Sequence, residues 1–140
     1  MRLRRAEGAD APACARIVHG WLAATPWIHD GPGLDGLTPA MHEGFARREV
    51  WVAEDGAVLG YLSLRPEDDH VVGLYAATPG AGVGRTLLDS VKAGRARLQL
   101  RSHAPNVAAH RFYEREGFRV IARDLPGDDE VPEIMMEWRR

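Results

Sequence analysis

Apolar and polar positions alternate with period two over Glu49 to Glu54 (EVWVAE) and again over Ala57 to Leu64 (AVLGYLSL). Asp55-Gly56 between them is a turn signal, so the two runs predict an antiparallel hairpin. A further apolar run, His70 to Ala77 (HVVGLYAA), predicts a strand that ends in a glycine-rich loop. The pattern then becomes helical from Gly84 to Gly94, extended from Arg97 to Ser102, and helical again from Asn106 to Glu116, with Gly117 placed to terminate that helix. Phe118 to Asp124 and Glu133 to Arg139 read as the last two strands, separated by the acidic turn Leu125 to Val131.

Ahead of the hairpin, Met1 to Arg5 predicts a short strand. Asp10 is placed to cap a helix over Ala11 to Ala24 that presents Ala13, Ile17, Val18, Trp21 and Leu22 on one face. Thr25 to Thr38 (TPWIHDGPGLDGLT) lacks periodicity and is rich in Gly, Pro and Asp, which predicts a loop. Loops of that length are uncommon in compact domains and are often functional. Pro39 to Arg48 predicts a short second helix with Met41 and Phe45 inward. Strands paired first by a hairpin and later joined through helices make a mixed α/β unit.

The chain has 140 residues, which fits one domain over 1–140 with a sizeable core. Its net charge of -2 argues against a nucleic-acid surface, which needs a basic excess. No apolar run is long enough to span a bilayer, and the N-terminus lacks the apolar segment of a signal peptide. The expected location is therefore the cytoplasm, without a membrane partner. Cys14 is the only cysteine, which excludes an internal disulfide, and its Ala-rich helical setting reads as a buried structural thiol.

The most informative stretch is Leu74 to Leu88, LYAATPGAGVGRTLL. A strand breaks at Pro79, passes Gly80, Gly82 and Gly84, and enters a helical pattern at Thr86, Leu87 and Leu88. Glycine lets main-chain N–H groups approach a ligand, and a helix beginning just beyond presents unpaired N–H groups and a partial positive charge. Together they suit phosphate or pyrophosphate, although such a loop can equally be a tight turn. Leu87 stands where a dinucleotide fingerprint needs glycine, and Gly84-Arg85-Thr86 lacks the lysine of a P-loop.

Downstream, Asn106 to Phe118 reads NVAAHRFYEREGF. A glycine-rich loop and helix, a strand, then Asn-x-x-Ala-x-x-x-Tyr-x-x-x-Gly-Phe resembles the GNAT superfamily of acetyl-CoA-dependent N-acetyltransferases over nearly the whole chain. The resemblance implies a GNAT fold: a mixed, mostly antiparallel sheet splayed into a V-shaped cleft between the strands Val71 to Ala77 and Arg97 to Ser102, flanked by about four helices. One departure is that Pro79 occupies the position usually held by Arg or Gln, and the link from Leu74 to the loop is shorter than usual.

That resemblance further implies acetyl-CoA as co-substrate, its pyrophosphate held by N–H groups of Gly80, Ala81, Gly82, Val83, Gly84, Arg85 and Thr86. Pantetheine would pair with the backbone of Leu74, Tyr75 and Ala76, like an added strand. Arg85 is placed to assist the phosphates or to be simply solvated. Asn106 would hold pantetheine, cap its helix, or both. Tyr113 is implied to protonate the leaving thiolate, since a phenol stays neutral at working pH. With Leu74 taken as the family bulge position, counting back selects His70 as general base, with Asp69 and Glu67 as fallbacks. Ribosomal-protein N-terminal acetyltransferases place a base where this chain has Arg101.

The loop after the first helix usually walls the acceptor, which makes Trp27, His29 and Asp30 substrate-contact candidates. His103 and His110 form no metal-ligand spacing with another His or acid, so a metal is not expected. The implied activity is acetyl transfer to a small-molecule or peptide amine by direct attack in a ternary complex. Transfer of another acyl group and a non-catalytic acyl-CoA-binding module are the alternatives, and the resemblance leaves a homodimer open.

Overall fold

In the computed structural model, which describes residues 1–28 and 31–140, the strands are β1 (Arg2–Arg5), β2 (Glu49–Glu54), β3 (Val58–Arg65), β4 (His70–Ala76), β5 (Arg97–His103), β6 (Arg119–Leu125) and β7 (Glu133–Arg139). The helices are α1 (Ala11–Ala23), α2 (Leu34–Arg47), α3 (Val83–Lys92) and α4 (Val107–Arg115), and a 3-10 turn at Gly8–Asp10 precedes α1. The strands form one sheet in the order β1-β2-β3-β4-β5-β7-β6. Every adjacent pair is antiparallel except β4 with β5. Among the described residues no helix is long and apolar enough to cross a membrane.

Strand alternation sorts side chains onto two faces. Ala53 of β2 and Leu62 and Leu64 of β3 join Leu87, Leu88 and Val91 of α3 in the larger core cluster, which also takes in Tyr113 of α4. Val50, Val52 and Tyr61 face the other way, against Cys14, Ala15 and Val18 of α1 and Leu37 of α2. In β4, Val71 and Leu74 both belong to the α3 side although they are an odd three positions apart. A bulge accounts for this: Leu64 pairs with Val71 and Ser63 with Gly73, so Val72 is the extra residue and parity is reset there.

Asp10 does not cap α1 with its side chain. Its carboxylate instead accepts two hydrogen bonds from Arg4, both 2.8 Å, and one from the Glu7 N–H at 2.7 Å. The buried face of α1 is Ala11, Cys14, Ala15 and Val18, rotated from the expected one, while Ile17, Trp21 and Leu22 are half-buried. Cys14 is fully enclosed, and burial pushes its thiol up to about 12, which leaves it inert.

The predicted loop from Thr25 to Thr38 is shorter, because α2 begins at Leu34 and carries Pro39 inside it. Gly33 O accepts the N–H groups of Gly36 and Leu37, and Leu37 is buried against α1 and the sheet. Tertiary burial of this leucine overrides the weak propensity of Gly36, Thr38 and Pro39. His29 and Asp30 lie outside the described residues.

Candidate active site

β4 and β5 are registered at only two positions, His70 with Gln99 and Val71 with Leu100. Beyond them β4 stays paired with β3 through Gly60 and Ala76, and β5 stays paired with β7 through His103 and Glu133. The two strands therefore separate and leave facing edges with unpaired N–H and C=O groups. A cleft of about 640 Å³ occupies the gap, bordered by Leu74 and Ala76 on one side and Ser102 and His103 on the other.

The bulge sits at Val72, whereas the sequence expectation put it at Leu74, which is in regular register with Leu62. Register is set by the partner strand, so no residue count along β4 alone could locate it. The count that selected His70 consequently starts from the wrong residue. His70 still lines the cleft, on geometry of its own.

At the mouth of the cleft, Gly80 and Gly82 have φ 82° and 79°, left-handed values that glycine adopts without strain. The chain turns there so that α3 starts beside the end of β4, with Gly82 as its N-cap. The N–H groups of Gly80, Ala81, Gly82, Val83, Gly84 and Arg85 have no backbone acceptor among the described residues. Thr86 drops out of the expected set, since its N–H and its hydroxyl both donate to Gly82 O, at 3.1 and 2.9 Å. Pro79, Gly80 and Gly84 line the cleft. The residues present thus fit a diphosphate: a row of free donors at a helix start. Arg85 points outward, 4.0 Å from Asp89 and 3.9 Å from Glu116.

α4 supplies the opposite wall. Asn106 is its N-cap and accepts the Ala109 N–H at 3.3 Å, which leaves the side-chain NH2 available to the cleft it lines. Tyr113 packs its ring edge-on against Phe112 and Phe118, at 5.2 and 5.4 Å between centroids. Its hydroxyl has no hydrogen-bond partner among the described residues, and burial holds the phenol well above its ordinary range, so it stays protonated. A Schellman arrangement ends the helix, with Gly117 N–H to Glu114 O and Phe118 N–H to Tyr113 O.

His70 is buried at the apex, and its Nδ1 has no partner among the described residues. Burial and then the Arg65 charge lower its imidazole below the usual range, so it is neutral around pH 7. Arg101 donates to Glu133 at 2.7 Å.

At the opposite rim Trp21, Trp27 and His103 cluster, with Trp27 5.9 Å from Trp21 and 5.1 Å from His103 between ring centroids. No local pattern along the chain signals this grouping. His103 Nε2 lies 2.7 Å from Asp129 Oδ2, and ligand atoms of His103, Asp129 and Glu133 all fall within 4.8 Å of one another. The absence of a metal-ligand spacing around His103 therefore holds along the chain but not in space, because β5, β7 and the turn before β7 converge there. Trp21 and His103 line the cleft; the alternation of β5 and the last turn of α1 were the only signals that could have placed them.

The model of the acetyltransferase (GNAT) domain matches residues 46–120. Peptidyl-lysine N-acetyltransferase YiaC of Escherichia coli K12 is 26% identical over 145 residues, covering 97% of this chain and 95% of the relative. Among solved structures, apo YjaB of Escherichia coli superposes with a TM-score of 0.80 at 21% identity, covering 98% of this chain and 96% of that one. YncA of Salmonella typhimurium, solved with its cofactor acetyl-CoA, gives 0.74 at 22% identity, covering 99% and 93%.

Proposed function

This chain belongs to the GNAT acetyltransferase family, and from that premise we propose that it transfers an acetyl group from acetyl-CoA to an amine by direct attack in a ternary complex. The observation that carries the reading is the continuity of the open β4 edge with the row of N–H groups from Gly80 to Arg85 that have no backbone acceptor among the described residues, in a cleft that Tyr113 also lines.

The amides of Gly80 to Arg85 would bind the diphosphate, and the backbone of Leu74, Tyr75 and Ala76, with the Asn106 amide, would orient pantetheine. The separated strands hold the reacting groups together, which removes much of the entropic barrier to a two-substrate reaction. His70 would take the proton from the acceptor ammonium, directly or through water, because only the free amine has a lone pair for attack on the thioester carbon. As the new C–N bond forms and the C–S bond breaks, the sulfur would take a proton from Tyr113, and the proton shed by the acylated nitrogen would return to the phenolate through water. Trp27 would wall the acceptor.

Calorimetric titration with acetyl-CoA, followed by free-thiol release against a panel of amines, tests the reading. Saturable binding and amine-dependent release of CoA are expected. Binding without turnover on any amine would leave a binding module, and no binding would end the reading.

A further inference from the structure

A second cavity of about 230 Å³ lies between α2 and the α1/α2 face of β3 and β4. It meets the cleft at Val72, Gly73 and Tyr75, which line both. Its walls are mainly apolar, with Leu37, Met41 and Phe45 from α2 facing Tyr61 and Tyr75. The two tyrosine rings stack at 5.7 Å.

Two features of this cavity are not demanded by the fold. First, Gly73 sits inside a strand beside the bulge, where glycine normally weakens pairing, and its φ is not positive. A Cβ built on it would lie 3.2 Å from Tyr75 Cε2 and 3.7 Å from the Tyr61 hydroxyl. With no side chain on Gly73, the space beside the Tyr61 and Tyr75 rings, where the two cavities share their lining, stays unfilled. Second, the only charged group lining the cavity among the described residues is Arg48. It is half-buried, its Nη1 lies 3.4 Å from the position of a Cβ on Gly44, and it makes no ion pair among the described residues, where most other arginines of this chain do. Its charge reaches Tyr61, whose phenol burial raises and Arg48 opposes. The Tyr61 hydroxyl, 3.7 Å from the position of a Cβ on Gly73 and without a partner among the described residues, is a further donor lining the cavity.

Resting on the acetyltransfer reading, we propose that this cavity takes the body of the acceptor, and that the acceptor is an amine with an apolar carbon skeleton and a carboxylate, received by Arg48, whose amine reaches the thioester past Gly73. An unpaired guanidinium in apolar surroundings attracts a carboxylate strongly and repels a second ammonium. With no acidic side chain among the described residues lining it, the cavity offers a polyamine no carboxylate there to pair with.

The test compares leucine and 6-aminohexanoate with their primary amides, which keep the skeleton and lose the negative charge. The acids should be better substrates in kcat/KM by about tenfold to a hundredfold, the range of a charge-assisted hydrogen bond. In Arg48→Gln the acid-to-amide ratio should fall to about one, through KM rather than kcat. Arg48→Glu should turn the preference toward diamines, and Gly73→Val should raise KM for the acids while the acetyl-CoA affinity stays within about twofold, as a blocked passage rather than a lost coenzyme site requires. Equal turnover of acids and amides, an unchanged ratio in Arg48→Gln, or a preference for lysine-bearing peptides that ignores Arg48 would overturn the proposal while leaving acetyl transfer intact. Loss of all amine turnover in the unaltered protein would instead be failure of the acetyltransfer reading.

Discussion

Gly84 and Phe112 approach so closely that a Cβ built on Gly84 would lie 3.0 Å from Phe112 Cζ. This contact brings the first turn of α3 against α4 where Gly84 and Phe112 both line the cleft. Gly84→Ala should overpack it and cost about 1–3 kcal/mol. A lower urea midpoint with an unchanged slope would show this, and Phe112→Leu in the same chain should restore part of the loss.

Gly82 carries a different requirement, since no side chain crowds it but its φ of 79° is left-handed. Gly82→Ala should therefore cost about 1–2 kcal/mol in the loop conformation. If that conformation is the one that binds diphosphate, acetyl-CoA affinity should fall about tenfold by calorimetry. An unaltered Kd would remove Gly82 from the cradle.

Tyr113→Phe removes only a hydroxyl that has no partner among the described residues, so stability should hardly change. As general acid, Tyr113 should show its loss in kcat, by about 100-fold, with acetyl-CoA binding retained. Equal kcat in the two proteins would exclude the role.

The order of strands and helices was legible because α3 buries one face, which periodicity records, and because β2 and β3, though buried on both faces, are short apolar runs joined at the Asp55-Gly56 turn. The glycine loop and the Asn106 to Phe118 stretch were legible because left-handed turns and helix caps need particular residue types. The bulge at Val72 was not, since it is a property of β4 against β3 rather than of β4. Nor was the start of α2, where burial of Leu37 outweighs its neighbours, or the meeting of Arg48 with Gly73 across a cavity. Such features depend on pairing across the sheet, and no local pattern encodes them.

Arg4 and Asp10 tie β1 to the start of α1. Chiefly through the Arg4 hydrogen bonds, and against its own desolvation, the Asp10 carboxyl is held below its ordinary 3.8. Its contribution is thus complete above pH 3.8 and is lost as pH falls through the lower folded value. Asp10→Asn should cost about 1–3 kcal/mol at neutral pH and flatten the acid end of the stability curve, read by urea unfolding between acid and neutral pH.

His70 titrates with the opposite consequence. Burial, then Arg65, lowers its imidazole below 6.5; Asp68 opposes the shift and Arg101 adds to it. Between the folded value and 6.5 the unfolded chain binds more protons at this site, so stability should rise with pH across that window and the site should add nothing below it. His70→Gln should remove this slope. If His70 is also the base, the enzyme's own acid limb in kcat/KM should fall below pH 6.5 and vanish in His70→Gln, while the limb set by the amine's own ionisation persists. A limb that survives the substitution, with the stability slope gone, would keep His70 as a buried neutral histidine and move the base elsewhere in the cleft.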